Sequence, residues 1–410
     1  MGSVIEKFNE PGHYYTSYPS LGHWKEFGDY ARYFSDFIKT RKPLHLYCHI
    51  PFCAKLCHYC ICNVVISSDR QKIQFFLDHL LKEIRNLRKF YEDTSEKPAI
   101  EEVHFGGGTP SHLDREQFKS LFDEIVTLRR GKFFREVAME IDPRTVKTGD
   151  LQFYAGCGVD RVSYGIQDFD AQVQKAINRE QPYEMIEALM EERKYFRGVN
   201  FDLLYGLPFQ TLSTIEDTVE KVLNLRPDRV TVLKYCHAPE VRRHMKLIDI
   251  TKLPKPEELP VMFLKIANTL MDSGYVWVGL DHFCLPTDSL SKGELVRTFN
   301  GFKSGPVKDM IGVGPTSTGA FGRVYAQNHY DLNQYYNLVN EGEFPVERGY
   351  VLTEEDEERR KAIFGLLCSR DIKPEARLYL RNLCKFFDNK DVEPEHMKIA
   401  QKTITRRAMA

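Results

Sequence analysis

The chain has 410 residues, 42% of them hydrophobic and 28% charged, with a formal net charge of −1. That is enough apolar material for a sizeable core, and the balanced charge gives no global attraction to nucleic acid or to an anionic membrane. No apolar run approaches the ~20 residues of a membrane span and no signal-peptide-like stretch opens the sequence, so the expected location is the cytoplasm.

The length suits one large α/β domain with an appendage. Residues 1–43 read as an irregular N-terminal arm with one short helix, dense in aromatics at His13-Tyr14-Tyr15-Thr16-Ser17-Tyr18-Pro19. A strand follows at 44–49. Residues 70–91 read as a helix, with Ile73, Phe76, Leu77, Leu80, Leu81, Ile84 and Leu87 on one stripe. Further strands are expected at 101–105, 136–141, 160–166, 200–204 and 229–235. Helices separate them at 114–128, from about 167 to 196, and at 213–225. Six strands in β–α alternation argue for a parallel sheet with crossover helices, and such sheets carry functional loops at the C-terminal strand ends. Six units suggest a partial barrel rather than a closed eight-stranded one.

After about residue 240 the pattern loosens. A linker at 254–260, a helix at 258–272 and a short strand at 275–280 are expected. Gly312-Val313-Gly314-Pro315-Thr316-Ser317 reads as a glycine-rich turn, and Thr353-Glu354-Glu355-Asp356 as a helix start of capping-box type. The expected organisation is an arm at 1–43, a core at 44–240, an extension at 241–345 and a C-terminal helical region at 346–410.

Ten cysteines are present, and five of them fall between Cys48 and Cys62. That is no disulfide framework, and it suits a reducing compartment. Cys53, Cys57 and Cys60 have the spacing C-x3-C-x2-C, with Cys62 two residues on. Thiolates are soft ligands for iron–sulfur clusters or zinc. Three of them on a four-iron cluster leave one iron open to a small ligand. All four could instead close a zinc tetrahedron. Gly106-Gly107-Gly108 follows a strand and is either a flexible turn or a place of close backbone approach to a ligand. Glu140 lies near a strand end, and Asp202 lies inside an apolar strand, where a carboxylate is less easily read as merely solvated.

Cys53-x3-Cys57-x2-Cys60 resembles the signature of the radical S-adenosylmethionine (SAM) superfamily. The longer pattern His49-Ile50-Pro51-Phe52-Cys53 through Cys60-Ile61-Cys62-Asn63, with the Tyr14–Tyr18 arm, resembles the oxygen-independent coproporphyrinogen III dehydrogenases (oxidases). The resemblance runs from about Tyr14 to about Asp388. It implies an α/β fold, the radical SAM partial (β/α)6 barrel. It implies a [4Fe-4S] cluster on Cys53, Cys57 and Cys60, with Cys62 characteristic but not a ligand. It also implies two molecules of S-adenosyl-L-methionine. The cluster-bound one maps onto Tyr47, Gly107, Gly108, Thr109 and Glu140. The second maps onto Tyr59, Gly108, Thr109, Gln167, Arg179, Asp202 and Cys236, and Thr318 aligns loosely with a further contact. No catalytic acid or base is singled out.

The implied reaction is anaerobic oxidative decarboxylation of coproporphyrinogen III propionates to vinyl groups by a 5′-deoxyadenosyl radical. The implied partners are the porphyrinogen and an electron donor such as flavodoxin or ferredoxin, with the chain a monomer. Three departures from the family pattern stand out. Cys236 replaces a small alanine, Cys48 replaces an aliphatic residue, and the C-terminal helical lid is short, resuming its resemblance at Leu378–Cys384. Relatives with two bound SAM molecules that methylate or cyclopropanate other substrates are an alternative, which the short lid favours and the N-terminal arm and Cys62 oppose. A haem-delivery role is a further alternative. Such relatives resemble His-Asn-Arg-x-His where this chain has Ile177-Asn178-Arg179-Glu180-Gln181, so both histidines are missing here.

Overall fold

The computed structural model describes residues 18–299 and 301–369. The Tyr14–Ser17 part of the arm and the stretch Leu378–Cys384 lie outside the described residues.

Six strands form the centre of the sheet: β1 (Leu44–Ile50), β2 (Ile100–Gly107), β3 (Glu136–Ile141), β4 (Arg161–Gln167), β5 (Gly198–Tyr205) and β6 (Arg229–Lys234). Each pairs in parallel with the next. The helices between them bury one apolar face. Arg70–Asp93 buries its whole predicted stripe and is capped by Asp69, whose side chain accepts from the amides of Gln71 and Lys72. Arg115–Val126 opens with a capping box between Asp114 and Gln117. Leu44, Leu46, Phe105, Phe201 and Val230 meet these helices in one continuous core.

The parallel run is the middle of a thirteen-stranded mixed sheet among the described residues. Asp309–Val313 adds a parallel strand beside β1, followed outward by the antiparallel strands Thr318–Phe321, Val324–Asn328 and Val346–Val351. On the other side His282–Cys284 runs antiparallel to β6 and pairs with Val276–Trp277. Two expectations change here. The strand expected at 275–280 is a hairpin of two short strands. The glycine-rich turn begins only at Gly314, because Gly312 belongs to the strand paired with β1 at Tyr47. Thr353 caps the helix Glu354–Leu367 with a capping box, as its sequence implies.

One buried carboxylate ties this edge to the core. Glu83, on the inner side of Arg70–Asp93, accepts hydrogen bonds from the Gly314 amide (2.7 Å), Asn328 Nδ2 (2.8 Å) and the Tyr335 hydroxyl (2.6 Å). Gly314 sits at φ +90° with no side chain against the His49 carbonyl, so Glu83 also fixes the turn behind the cysteine loop. Burial pushes the Glu83 carboxyl up from 4.5 to about 7, against the pull of its three donors. The folded state therefore keeps this proton longer than the unfolded chain does. Stability from this group is present below about 4.5 and is lost as pH rises through about 7, by about 3 kcal/mol in all. Glu83→Gln should flatten that part of the pH dependence, read as melting temperature against pH beside the unmodified protein.

Candidate active site

The inward residues of all six parallel strands line one cavity of about 540 Å³, from His45, Glu102 and Glu136 at the strand starts to Gly107, Glu140 and Gln167 at the strand ends. The sheet thus curves around it. The strand-start end is closed by paired charges. Arg161 and Arg229 share Asp288 (3.2 and 2.9 Å), and Lys303 pairs with Glu102, with burial holding the Lys303 amine down at about 7.

The cysteine loop covers the other end. Cys53, Cys57 and Cys60 all face the cavity. Thr109 donates to Cys53 Sγ (3.2 Å), and Arg144 and Arg179 donate to Cys57 Sγ (3.4 and 3.5 Å). Burial pushes the Cys53 thiol up to about 12. A bound cation reverses that preference by stabilising the thiolate. The Cys60 thiol is lowered to about 7, chiefly by a hydrogen bond with Cys62, whose own thiol is raised by the same contact.

These donors fit an iron–sulfur cluster. Three soft thiols on one cavity are the donor set that a four-iron cluster takes while one iron stays open.

The glycine run enters from β2. A side chain on Gly108 would strike the Pro51 carbonyl oxygen at 2.5 Å, backbone that cannot step aside. The absence of a Cβ is what lets the strand end lie against the cysteine loop. Gly108→Ala should therefore spread the two apart and lower the iron retained after reconstitution by about half or more, with all the cysteines still present. Unchanged iron content would count against this packing.

Most residues expected at the site do meet here. Tyr59, Gly107, Gly108, Thr109, Glu140, Gln167, Arg179, Asp202 and Cys236 line the cavity with the three cysteines. Gln167 lies at φ +67° beside an irregularity in the β4–β5 pairing, a strained non-glycine residue at a strand end. Asp202 accepts from Ser163 (2.6 Å) and Asn200 (2.8 Å). Burial raises its carboxyl, as does the nearby Glu140. Glu140 itself bonds His104 (3.0 Å) and accepts from the Gly107 amide (3.3 Å). Two carboxylates thus face one cavity, a setting suited to a cationic ligand.

Tyr47 and Thr318 are not among the residues that line the cavity. Tyr47 lies beside Glu140, both next to the Cα of Gly106, with its hydroxyl 3.1 Å from His49 Nδ1. Thr318 is buried in an outer antiparallel strand, paired with Gln327, off the cavity wall.

The sequence reading missed Asp142 and Arg144. Asp142 receives Arg144 (2.7 Å) and Arg179 (3.3 Å). Burial alone would raise its carboxyl, but the two guanidiniums overcome that and hold it below the ordinary value. The only signal was the Asp-Pro pair at the end of β3.

The Radical SAM superfamily model matches residues 47–222, from Tyr47 into the helix after β5. Fold and site therefore define an enzyme of the radical SAM class, whose members use a four-iron cluster and SAM. The oxygen-independent coproporphyrinogen III oxidase of Synechocystis is 37% identical over 375 residues, covering 89% of this chain and 80% of that protein. The Escherichia coli protein of the same name is 35% identical over 374 residues, 90% of this chain and 81% of the relative. The solved structure of E. coli coproporphyrinogen III oxidase (HemN), described as a radical SAM enzyme, aligns with TM-score 0.82 and 33% identity over 92% of this chain and 87% of that one. The chain belongs to the oxygen-independent coproporphyrinogen III oxidase family. No helix among the described residues is long and apolar enough to cross a membrane.

Proposed function

We propose that this protein converts propionate side chains of coproporphyrinogen III to vinyl groups without oxygen. The observation that carries the reading is the cavity itself, lined by three thiols together with Glu140 and Asp202. Cys53, Cys57 and Cys60 would hold the cluster, and Cys62 would stand beside it as a hydrogen-bond donor to Cys60. With SAM, the cluster supplies one-electron chemistry that ends in hydrogen abstraction from carbon.

The chain's own residues supply placement and exclusion. Gly107 and Gly108 let the strand end pack against His49 and Pro51 at the cavity, and the Glu140 carboxylate offers a partner to an ammonium or sulfonium. Tyr47 packs beside Glu140 over Gly106. Tyr59, Gln167, Arg179, Asp202 and Cys236 line the adjoining wall, where a second SAM molecule would sit. Thr318, in the first antiparallel strand beyond Asp309–Val313, does not itself line the cavity. Apolar walls at Leu204, Leu233 and Phe302 suit a tetrapyrrole and keep water from the reacting carbon.

An external electron donor such as a flavodoxin or ferredoxin completes the requirement. The expected unit is a monomer, and the cysteine usage suits the cytoplasm.

The test is anaerobic reconstitution with iron and sulfide, followed by SAM, a chemical reductant and coproporphyrinogen III. Carbon dioxide and a vinyl product are expected. SAM cleavage that never yields a vinyl group would defeat the reading, and a methylated product would replace it with a methyltransferase.

A further inference from the structure

One surface is not used by the cavity. The segment from His237 to Lys255 lies directly on the cysteine loop. Arg242 Nε donates to the Ile61 carbonyl (2.8 Å), and its guanidinium also bonds Asn63 Oδ1. His244 Nε2 lies 2.8 Å from the Cys60 carbonyl oxygen. Ile248 is buried in the apolar cluster against which Tyr59 packs. The inner side of the segment is therefore fixed to the residues that hold the thiols.

Its outer side is different in kind. Val241 is 59% exposed, Leu247 62% and Ile250 62%, and Ile61 on the cysteine loop is 43% exposed. Single exposed apolar residues need no explanation, but here four of the ten large ones exposed among the described residues belong to this segment and the loop it touches. The charge is also uneven. Residues 237–255 carry Arg242, Arg243, Lys246, Lys252 and Lys255 against Glu240 and Asp249, in a chain whose net charge is −1. Arg243, Lys246, Lys252 and Lys255 are exposed. Apolar residues ringed by one sign of charge form the usual anatomy of a docking patch, with the rim steering the encounter.

We propose that this face docks a small acidic electron-carrier protein, a flavodoxin or ferredoxin, which delivers its electron to the cluster through the Cys60–Cys62 turn. The proposal rests on the assignment of Cys53, Cys57 and Cys60 to a cluster. Reduction needs an electron from outside the chain, and Ile61 and Cys62 are the exposed residues between the cysteines and solvent here. The transfer balances simply. The carrier's reduced centre is oxidised by one electron and the cluster is reduced by one, with no atom exchanged. Redox encounters bury little area and turn over quickly, which suits a patch of this size. Positive charge on this side and an acidic rim on the carrier give complementarity and a steep dependence on salt.

The probes are an oxidised FMN flavodoxin for binding and its hydroquinone for reduction, with an acidic ferredoxin as a second arm. The protein is the reconstituted full chain. Arg243→Glu with Lys246→Glu should weaken flavodoxin or ferredoxin binding about tenfold at low salt and flatten its salt dependence. Reduction of the cluster by that carrier should slow by a like factor. The visible iron–sulfur absorbance and the rate of reduction by dithionite should not move. Leu247→Ser with Ile250→Ser should weaken binding while leaving the salt slope as it was. A photo-crosslinking residue in place of Leu247 should capture the carrier.

Unchanged carrier binding and kinetics in both double variants would overturn the proposal. So would a crosslink from position 247 to residues 1–17, to residues 370–410 or to a second copy. If dithionite reduces the cluster and the carrier kinetics ignore the charge reversal, docking alone fails. If no iron–sulfur absorbance ever develops, the cofactor reading fails and takes this proposal with it.

Discussion

Alanine at Cys53, Cys57 or Cys60, changed one at a time, should abolish the iron–sulfur absorbance and all SAM cleavage, whereas Cys62→Ala should keep the cluster and impair turnover. The argument is geometric. The three thiols face the cavity, and each is approached by a different group: Thr109 at Cys53, Arg144 and Arg179 at Cys57, and Cys62 at Cys60. Removing one leaves two anchors for a cluster that needs three, and its iron is lost to solvent. Cys62 is exposed, and its contact with Cys60 is a hydrogen bond that tunes a neighbouring thiol. Its loss removes a donor and no anchor. Iron analysis and visible absorbance after anaerobic reconstitution separate the two classes. A Cys62→Ala protein without iron, or a Cys57→Ala protein with a full complement, would reverse the assignment.

The cysteine loop was legible because its chemistry lies in local spacing, which a sequence shows directly. The six parallel strands were legible for a related reason. Each is an apolar run flanked by an amphipathic helix, and β3 falls at its expected bounds. The antiparallel edge was not. Thr318–Phe321 and Val324–Asn328 are short, joined at Gly322, and buried along most of their length, so they show neither alternation nor a long apolar run. Glu83 was hidden because it lies just off the apolar stripe of its helix. Only the fold shows that Gly314, Asn328 and Tyr335 converge on it. Asp142 needed its long-range partner Arg179, 37 residues away, to declare itself.

Arg179→Ala should eliminate vinyl product while iron content and absorbance persist. Arg179 is buried, and its planar head makes contacts in two directions. Nε and Nη2 donate to the Gly165 carbonyl (3.1 and 2.7 Å), and Nη1 reaches Asp142 Oδ2 (3.3 Å) and Cys57 Sγ (3.5 Å). It thereby joins the ends of β3 and β4 to the cysteine loop and sets the cavity wall that Gln167 and Tyr59 share. Removing one partner from such a buried charged set costs roughly 2–5 kcal/mol, or about thirty- to several-thousand-fold in ligand affinity. Asp142 would retain Arg144, and Gly165 would retain Gln181 Nε2 at 2.9 Å, so the fold should survive the change. Arg179→Lys is the sharper variant. A lysine keeps the charge, but as a point donor it cannot hold the carbonyl and the carboxylate together. If charge alone matters, Lys restores SAM binding. If the fork sets the wall, Lys behaves as Ala does. Equilibrium dialysis supplies the readout: two SAM molecules per unmodified chain and one in either variant is the expected result. A second molecule retained at full affinity by Arg179→Ala would place that ligand elsewhere in the cavity.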